Sequence, residues 1–465
     1  MARHAAHAAS GETGAWSPSE RLPLPVRVAL LVLCGALYVW MATSIGLGTE
    51  AGAPDESMRS LMPTAIAAGN LFPSGYDSDV IYFLGNWSYA FYPQVLGAYA
   101  SALFMWLAGL AGLSANAAFC AGRLASVCFG LVALAFASRT AERLAPRVGV
   151  DARLAGAGAI VLMGLWPQFA FLSSYMNNDI VALCGTVLIT YALVEGLSGG
   201  WTTGRALALS AGVIVAALGY WNAYGFVLAG IVVFTASLLR SEAERGEKIR
   251  LFLTAAVPAA VCVLPFFALN VVRYGDLLGM ATFREQYQLW LDEGGEVLQH
   301  PYGGDVVSLL LHSDLAERTW QSFIGVFGYM TYYLPFALYL AYTFLSCACA
   351  GSFLSRAFER RLLAGTWARV LAAAILLSCL VTVALLAVYA MGTDYQTQGR
   401  YVIYLLPPLV VAMALGVAPR EGATRGGRVL ACALLALFAI VGVVVLLHAS
   451  AACGWNGVDV TLMKH

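Results

Sequence analysis

The sequence predicts an all-α, polytopic integral membrane protein with about eleven transmembrane helices and one interfacial or re-entrant helix in its first outer loop. Three observations carry that prediction. Hydrophobic residues make up 60% of the 465 and charged residues only 11%, too little polar surface for a water-soluble chain of this size. Apolar runs at 28–47, 155–171, 181–197 and 429–448 are each long enough to cross a hydrocarbon core about 30 Å thick. The arginines gather in alternate inter-span segments, the asymmetry that sets membrane orientation.

Taken in order, residues 1–25 carry Glu12 and Glu20 and read as a cytoplasmic tail. They lead into a span, 26–46, too long for the apolar region of a signal peptide, which is about 7–15 residues. A cleavage after Ala51-Gly52-Ala53 fits the small-residue pattern but not that length. Further candidate spans are 117–138, 154–173, 179–198, 206–220, 224–240, 251–272, 323–347, 370–391, 400–417 and 428–449, within one domain of residues 26–449.

Segment 92–112 is apolar too, but counting it as a crossing inverts every later loop. The clusters around Arg139–Arg153, Arg240–Arg250 and Arg356–Arg369 would then all lie outside. Left uncrossed, with the amino terminus inside, it places nineteen basic residues in cytoplasmic segments and seven outside. Tyr89, Phe91, Tyr92, Pro93 and Tyr99 give this segment an aromatic, proline-broken start suited to the interface. The outer face then holds loops 47–116 and 273–322, Ser173–Asp179, the turn 392–400 and a tail, 450–465.

Composition also excludes. The dispersed arginines form no basic patch for nucleic acid. Most of the ten cysteines lie inside apolar runs, where thiols behave as small hydrophobes, and Cys347 and Cys349 lack a second pair for a metal.

Chemistry-bearing residues collect on the outer face. Asp55 and Glu56 stand just beyond the first span, where a partly desolvated carboxylate suits general-base work; a helix cap is the alternative. Asp179 opens a span whose neighbours carry almost no other charge, again as a site acid or as a helix-start residue complementing the dipole. Arg123 lies about six residues into an apolar span, as a cation for a lipid phosphate, a partner for an outer carboxylate, or a snorkelling side chain. In Asp394–Tyr401 the glycine lets the backbone approach a ligand, and Arg400 offers a fork to phosphate or anchors the helix. Loop 273–322 has the length of a lid or acceptor-binding element, and its His and acidic residues lack metal-ligand spacing.

The layout resembles the GT-C superfamily of membrane glycosyltransferases and, more narrowly, a family of bacterial membrane proteins of unknown function placed within it. The residues that carry the resemblance are Pro54-Asp55-Glu56, Tyr92-Pro93, Gly122-Arg123-Leu124, Asn178-Asp179, Ser322-Phe323 with Phe327-Gly328, and Gln398-Gly399-Arg400-Tyr401, spread over about residues 26–420. Ser57-Met58-Arg59 and a single Pro93 depart from the family's usual histidine and doubled proline. The resemblance implies an inverting transferase in the bacterial cell membrane, its active face outside. Such an enzyme moves a sugar from a polyprenyl-phosphate donor to a glycan, lipid or protein acceptor of the cell envelope. It implies Asp55 as base, Glu56 or Asp179 as second acid, Arg400 and Arg123 as phosphate holders with Tyr401, Gln398 and Arg59 near the substrate, and room for a divalent metal between Asp55 and Asp179.

Two other classes stand beside it. A transporter or flippase of lipid-linked precursors should show internal repeats and discontinuous helices with midplane charges, which the apolar runs do not suggest. A non-catalytic envelope-assembly protein is the third reading.

Overall fold

The computed structural model describes residues 21–47 and 52–462; the expected tail up to residue 20 and Lys464 lie outside them. The chain is almost entirely helical. In order come α1 (Leu24–Ser44), α2 (Glu56–Arg59), α3 (Leu61–Ala67), α4 (Leu96–Leu110), α5 (Ala115–Val148), α6 (Ala152–Gly164), α7 (Pro167–Leu172), α8 (Asp179–Gly199) and α9 (Thr203–Ala217). They are followed by α10 (Tyr224–Leu239), α11 (Arg245–Tyr274), α12 (Met280–Asp292), α13 (Val306–Leu311), α14 (Leu315–Ile324), a hairpin of β1 (Val326–Phe327) and β2 (Tyr332–Tyr333), α15 (Phe336–Glu359), α16 (Thr366–Gly392), α17 (Leu406–Val417) and α18 (Arg425–Ala452).

Among the described residues nine helical segments are long and apolar enough to cross a membrane. Three further apolar helices, α4, α6 and α9, are shorter; α6 packs against α5 and α17, and α9 against α8 and α11. The two ends differ in chemistry. At one, Arg123 near the start of α5 donates to the carbonyls of Ala42 and Ile45 at the end of α1. At the other, Arg27 pairs with Glu142, Arg143 with Glu195 at 3.6 Å, and Arg356 donates to the carbonyls of Leu415 and Ala418. Asp55, Glu56, Asp179 and Arg400 are all at the first, acidic end, and the arginine-rich loops are at the second.

The Arg123 contacts also fix α4. Because the end of α1 and the start of α5 meet, the chain between them leaves and returns at the acidic end, and α4 makes no pass through the bundle. The helix is shorter than segment 92–112: Tyr92-Pro93 stays extended, and Leu96 N–H donates to the Leu218 carbonyl at 3.1 Å. Leu103, Trp106, Leu107 and Leu110 face outward from it, an apolar face of the kind an interfacial helix presents.

Three expected spans have a different internal form. Segment 154–173 is split into α6 and α7, because Pro167 has no N–H to continue the helix and takes the first-turn position of a new one. Segment 323–347 does not begin as a helix: residues 326–333 form the hairpin, with Val326 N–H bound to Gln168, and α15 starts only after Pro335. Segment 400–417 opens as a 3-10 turn, Gly399–Leu405, before α17, whose first turn holds Pro407 and Pro408.

Close packing of the central passes relies on small residues, as helix pairs in lipid do. A Cβ on Gly185 of α8 would lie 2.3 Å from the Ala216 nitrogen of α9, so only glycine permits that approach. Trp166, Phe169, Phe171 and Tyr175 fill the space beneath the acidic end.

With the acidic end outside, single cysteines at Leu71 and Glu293 should react with a membrane-impermeant thiol reagent in intact cells. Cysteines at Glu242 and Gly422 should react only after permeabilisation. Labelling of position 242 in intact cells would invert the orientation.

Candidate active site

The loop after α1 reaches the bundle through a buried ion pair. Glu56, fully enclosed, accepts from Arg123 Nε at 2.8 Å and Nη2 at 2.6 Å, and from the Met176 N–H at 2.8 Å. The remaining Arg123 N–H groups go to Ala42, Ile45 and Gly46 carbonyls at 2.7, 2.7 and 3.4 Å. Every donor of this guanidinium is engaged, and none is left for a phosphate. The expectations of Glu56 as second acid and Arg123 as phosphate holder therefore meet a closed structural pair, whose burial requires full hydrogen bonding.

One residue earlier, Asp55 points the other way. Its backbone is left-handed (φ 60°, ψ 0°), sparsely populated for a residue other than glycine, and its side chain makes no cap bond to α2. The carboxylate pairs with Arg400, and Arg59 Nη2 stands 4.0 Å from the same oxygen. Burial pushes the Asp55 carboxyl up, but the Arg400 and Arg59 charges and the Arg400 hydrogen bond pull it further down, leaving it below the ordinary aspartate value. Its side chain is 22% exposed whereas that of Arg400 is 1% exposed, so solvent or a ligand reaches the pair from the Asp55 side. On that side Tyr329, in the hairpin turn, has its phenol pushed up to about 12 by burial and then by the Asp55 charge, and it stays a neutral hydroxyl.

Arg400 is placed by the 3-10 turn. A Cβ on Gly399 would sit 2.0 Å from the Phe323 nitrogen, so this glycine admits the backbone of α14 rather than a ligand, which corrects the sequence reading and couples its two distant motifs. Besides Asp55, Arg400 donates to the Pro54 carbonyl and the Tyr401 hydroxyl, both at 3.4 Å, and its Nε is unpaired. Tyr401 in turn donates to Gln396 at 2.5 Å. Gln398, expected near the substrate, instead donates to Gln396 at 3.2 Å and does not line the cleft; Gln396 does.

Asp179 is fully buried on the far side of Arg400. Capping of α8 is done by Asn177, whose Oδ1 accepts from the Ile180 N–H at 2.9 Å, so Asp179 makes no cap bond, although it is the first residue of the helix, where its charge complements the dipole. Its Oδ1 accepts from the Tyr404 hydroxyl at 3.4 Å and its Oδ2 has no partner.

The cleft above Asp55, about 770 Å³, is walled by aromatic rings, Trp87, Tyr89, Tyr92 and Phe283 among them. Arg59 lies in it with its guanidinium 4.2 Å from the Tyr89 ring centre and with Nε and Nη1 unpaired. Below and beside it runs an apolar groove of about 1900 Å³ between α10 and α16, lined by Leu228, Val232, Leu377, Val381 and Leu385. Cleft and groove share a wall of Tyr220, Trp221, Met280, Arg284, Tyr389, Thr393 and Tyr401. Arg284 of α12 stands at that junction. Sequence reasoning missed it, because on an amphipathic helix of loop 273–322 it reads as one more solvated cation; only the junction singles it out.

Two carboxylates, one of them pressed against a guanidinium, are a poor donor set for a divalent cation, and no group of three or more His, Cys, Asp or Glu converges among the described residues. The site does not fit the metal that the resemblance allows.

The arrangement is a polytopic helical bundle with an acidic loop after α1, the short helix α4 within that loop and a second acid at the start of α8. In comparisons with solved structures the chain is similar to ArnT from Cupriavidus metallidurans in the apo state, with TM-score 0.52 and 15% identity over 84% of this chain and 59% of that one. It is likewise similar to the same protein bound to undecaprenyl phosphate, with TM-score 0.52 and 15% identity over 92% of this chain and 72% of that one. The chain thus spans less than two thirds of the apo ArnT chain. No family model and no curated protein matches the sequence.

Truncating Glu56 to Ala leaves the Arg123 charge buried without its carboxylate, a loss of about 3–5 kcal/mol for a buried pair. Membrane abundance and thermal stability in detergent should fall sharply. A Glu56→Ala protein as stable as the parent would remove the pair from the fold's supports.

Proposed function

We propose that the protein is a membrane glycosyltransferase that moves a sugar from a polyprenyl-phosphate donor to a hydroxyl of a cell-envelope glycan, lipid or protein acceptor, at the extracytoplasmic face of a bacterial cell membrane. The observation that carries this reading is the shared wall. A polar cleft holding a carboxylate opens directly into a long apolar groove, and where the two meet stands Arg284, which has no carboxylate partner among the described residues. A ligand with a hydrocarbon tail, a phosphate and a sugar matches that sequence of environments. The orientation follows from the arginine-rich opposite end.

In this reading the prenyl tail lies along α10 and α16, Arg284 and Arg59 hold the phosphate, and the sugar rests among Trp87, Tyr89, Tyr92 and Phe283. The acceptor hydroxyl approaches Asp55 from its exposed side. As its oxygen attacks the anomeric carbon, Asp55 takes the hydroxyl proton, the bond from that carbon to the phosphate oxygen breaks, and the electron pair leaves with polyprenyl phosphate, giving inversion at the anomeric centre. Phosphate needs no general acid, so stabilising its charge is the arginines' task. Arg400 then holds Asp55 ionised and aimed rather than binding phosphate, and Asp179 supports Arg400 from behind. A flippase is less favoured: the break between α6 and α7 is closed by Trp166 Nε1–H bound to the Phe323 carbonyl at 2.8 Å and carries no charge.

Undecaprenyl phosphate is the probe for the donor site. Losing a hydrogen bond to a charged group costs about 1.5–3 kcal/mol, so Arg284→Ala should weaken its binding in detergent roughly 10–100-fold. Equal binding of undecaprenol, which lacks the phosphate, would sink the assignment. Asp55→Asn should bind the probe as the parent does while sugar transfer falls roughly 10²–10⁴-fold, the typical share of general-base catalysis.

Because its cationic partners lower the Asp55 pKa, the carboxylate is ionised, and the pair contributes to stability, above the unfolded value of about 3.9; both are lost as pH falls through the lower folded value. Arg400→Gln removes the strongest of those cations. The acid limb of its kcat/KM profile should therefore move to higher pH, and an unmoved limb would give the base role to another group.

A further inference from the structure

A second large cavity lies at the opposite, basic end of the bundle, remote from Asp55. It opens at a mouth and is bounded by α5, α8, α15, α16, α17 and the turn Leu362–Ala364. Its walls are apolar: Val187, Val194, Leu371 and Ile375 face it, and Pro407 and Pro408 offer no N–H. The two threonines on the wall, Thr140 and Thr190, spend their hydroxyls on the Phe136 and Thr186 carbonyls of their own helices. One charged residue lines it, Arg147.

The charge around its mouth is mostly basic. Of the carboxylates at this end, Glu142 pairs with Arg27, Glu195 with Arg143 and Arg205, and Glu359 with Arg420, Asp151 caps α6, and Glu421 lies beside Gly149 with no ion pair among the described residues. Arg147, Arg360, Arg361 and Arg369 have no carboxylate partner among the described residues. Arg360 lies against Gly149, two residues beyond Arg147, and Arg361 and Arg369 adjoin the lining residues Leu362 and Ala368. A hydrocarbon-lined cavity with a rim of unpaired guanidiniums complements a molecule with an acyl chain and a phosphate anion.

We propose that this cavity is a binding site for an anionic glycerophospholipid, which seats an acyl chain between α5 and α16 and presents its phosphate to Arg147. The site is independent of the proposed transfer reaction, since a phosphate at Arg147 is at the other end of the bundle from Asp55. The bound lipid bridges five passes that otherwise leave a gap, tying α16, one wall of the donor groove, to the centre of the fold.

Trp367 lines the cavity and reports occupancy. The full chain is reconstituted in nanodiscs containing phosphatidylglycerol or phosphatidylcholine with brominated acyl chains, and the Trp367 signal is taken as the difference between the parent and Trp367→Phe. A favourable charge contact at a membrane surface is worth about 1 kcal/mol, so brominated phosphatidylglycerol should quench Trp367 at about fivefold lower mole fraction than brominated phosphatidylcholine. Arg147→Gln should erase that preference, and Ala412→Phe, which fills the cavity, should reduce quenching by both lipids. Equal quenching by the two lipids in the parent, or a preference that survives Arg147→Gln, would overturn the proposal. Arg147 is exposed, so that variant keeps the test decisive if Ala412→Phe fails to fold.

Discussion

The acidic end is organised around the Arg123–Glu56 pair. One guanidinium, placed a few turns into α5, closes the end of α1 through three carbonyls and receives the following loop through Glu56, which also holds the Met176 N–H of the turn before α8. Four stretches of chain therefore meet at one charge. The cost of taking both ions out of water is offset only because every donor of Arg123 and both carboxylate oxygens of Glu56 have partners, which makes the arrangement intolerant of partial change. Everything next to Glu56, including the left-handed backbone at Asp55, inherits its position from that fixed point.

The arginines at this end divide by burial and by partner. Arg123 is saturated and structural. Arg400 is buried too, but one face of it is spent on a carboxylate that still touches solvent, so its charge sets the ionisation and aim of Asp55. Arg59 is stacked on Tyr89 and retains unpaired nitrogens, and Arg284 is exposed at the junction of cleft and groove. The same residue type serves as a clamp, as a tuner of a neighbour's charge and as an open donor because the guanidinium's five donors can be filled to different extents.

The bundle supports this layout through helix ends as much as through helix packing. Passes broken or delayed by proline and glycine, at Trp166-Pro167, Gly325–Pro335 and Gly399–Leu405, all lie towards the acidic end, where they exchange hydrogen bonds: Trp166 with the Phe323 carbonyl, Gln168 with the Val326 N–H, and Tyr339 with the Gly325 carbonyl at 2.9 Å. Irregular backbone is tolerable at membrane depth only when protein satisfies it, and here one irregular stretch satisfies the next. The carboxyl-terminal segment adds to this roof, with Trp455 stacked on Phe171 at 5.8 Å and the Gly457 N–H bound to the Ser44 carbonyl.

The sequence by itself determined the helical membrane architecture and the gathering of Asp55, Glu56, Asp179 and Arg400 at one end. These follow from segment length, apolar content and charge parity, which are local or additive along the chain. It could not assign the roles. Asp55 and Glu56 are neighbours of equal charge, and only the tertiary structure sends one into a sealed pair with Arg123 and the other towards a solvent-lined cleft. Arg123 and Arg400 read alike as cations near helix ends until the number of partners each has is known. Gly399 reads as room for a ligand until the backbone of Ser322-Phe323 is found against it, and Arg284 reads as surface until α12 is laid over the mouth of the groove. Which donors remain unsatisfied, and which surfaces meet, depend on contacts between residues hundreds of positions apart, and that information has no local trace in the sequence.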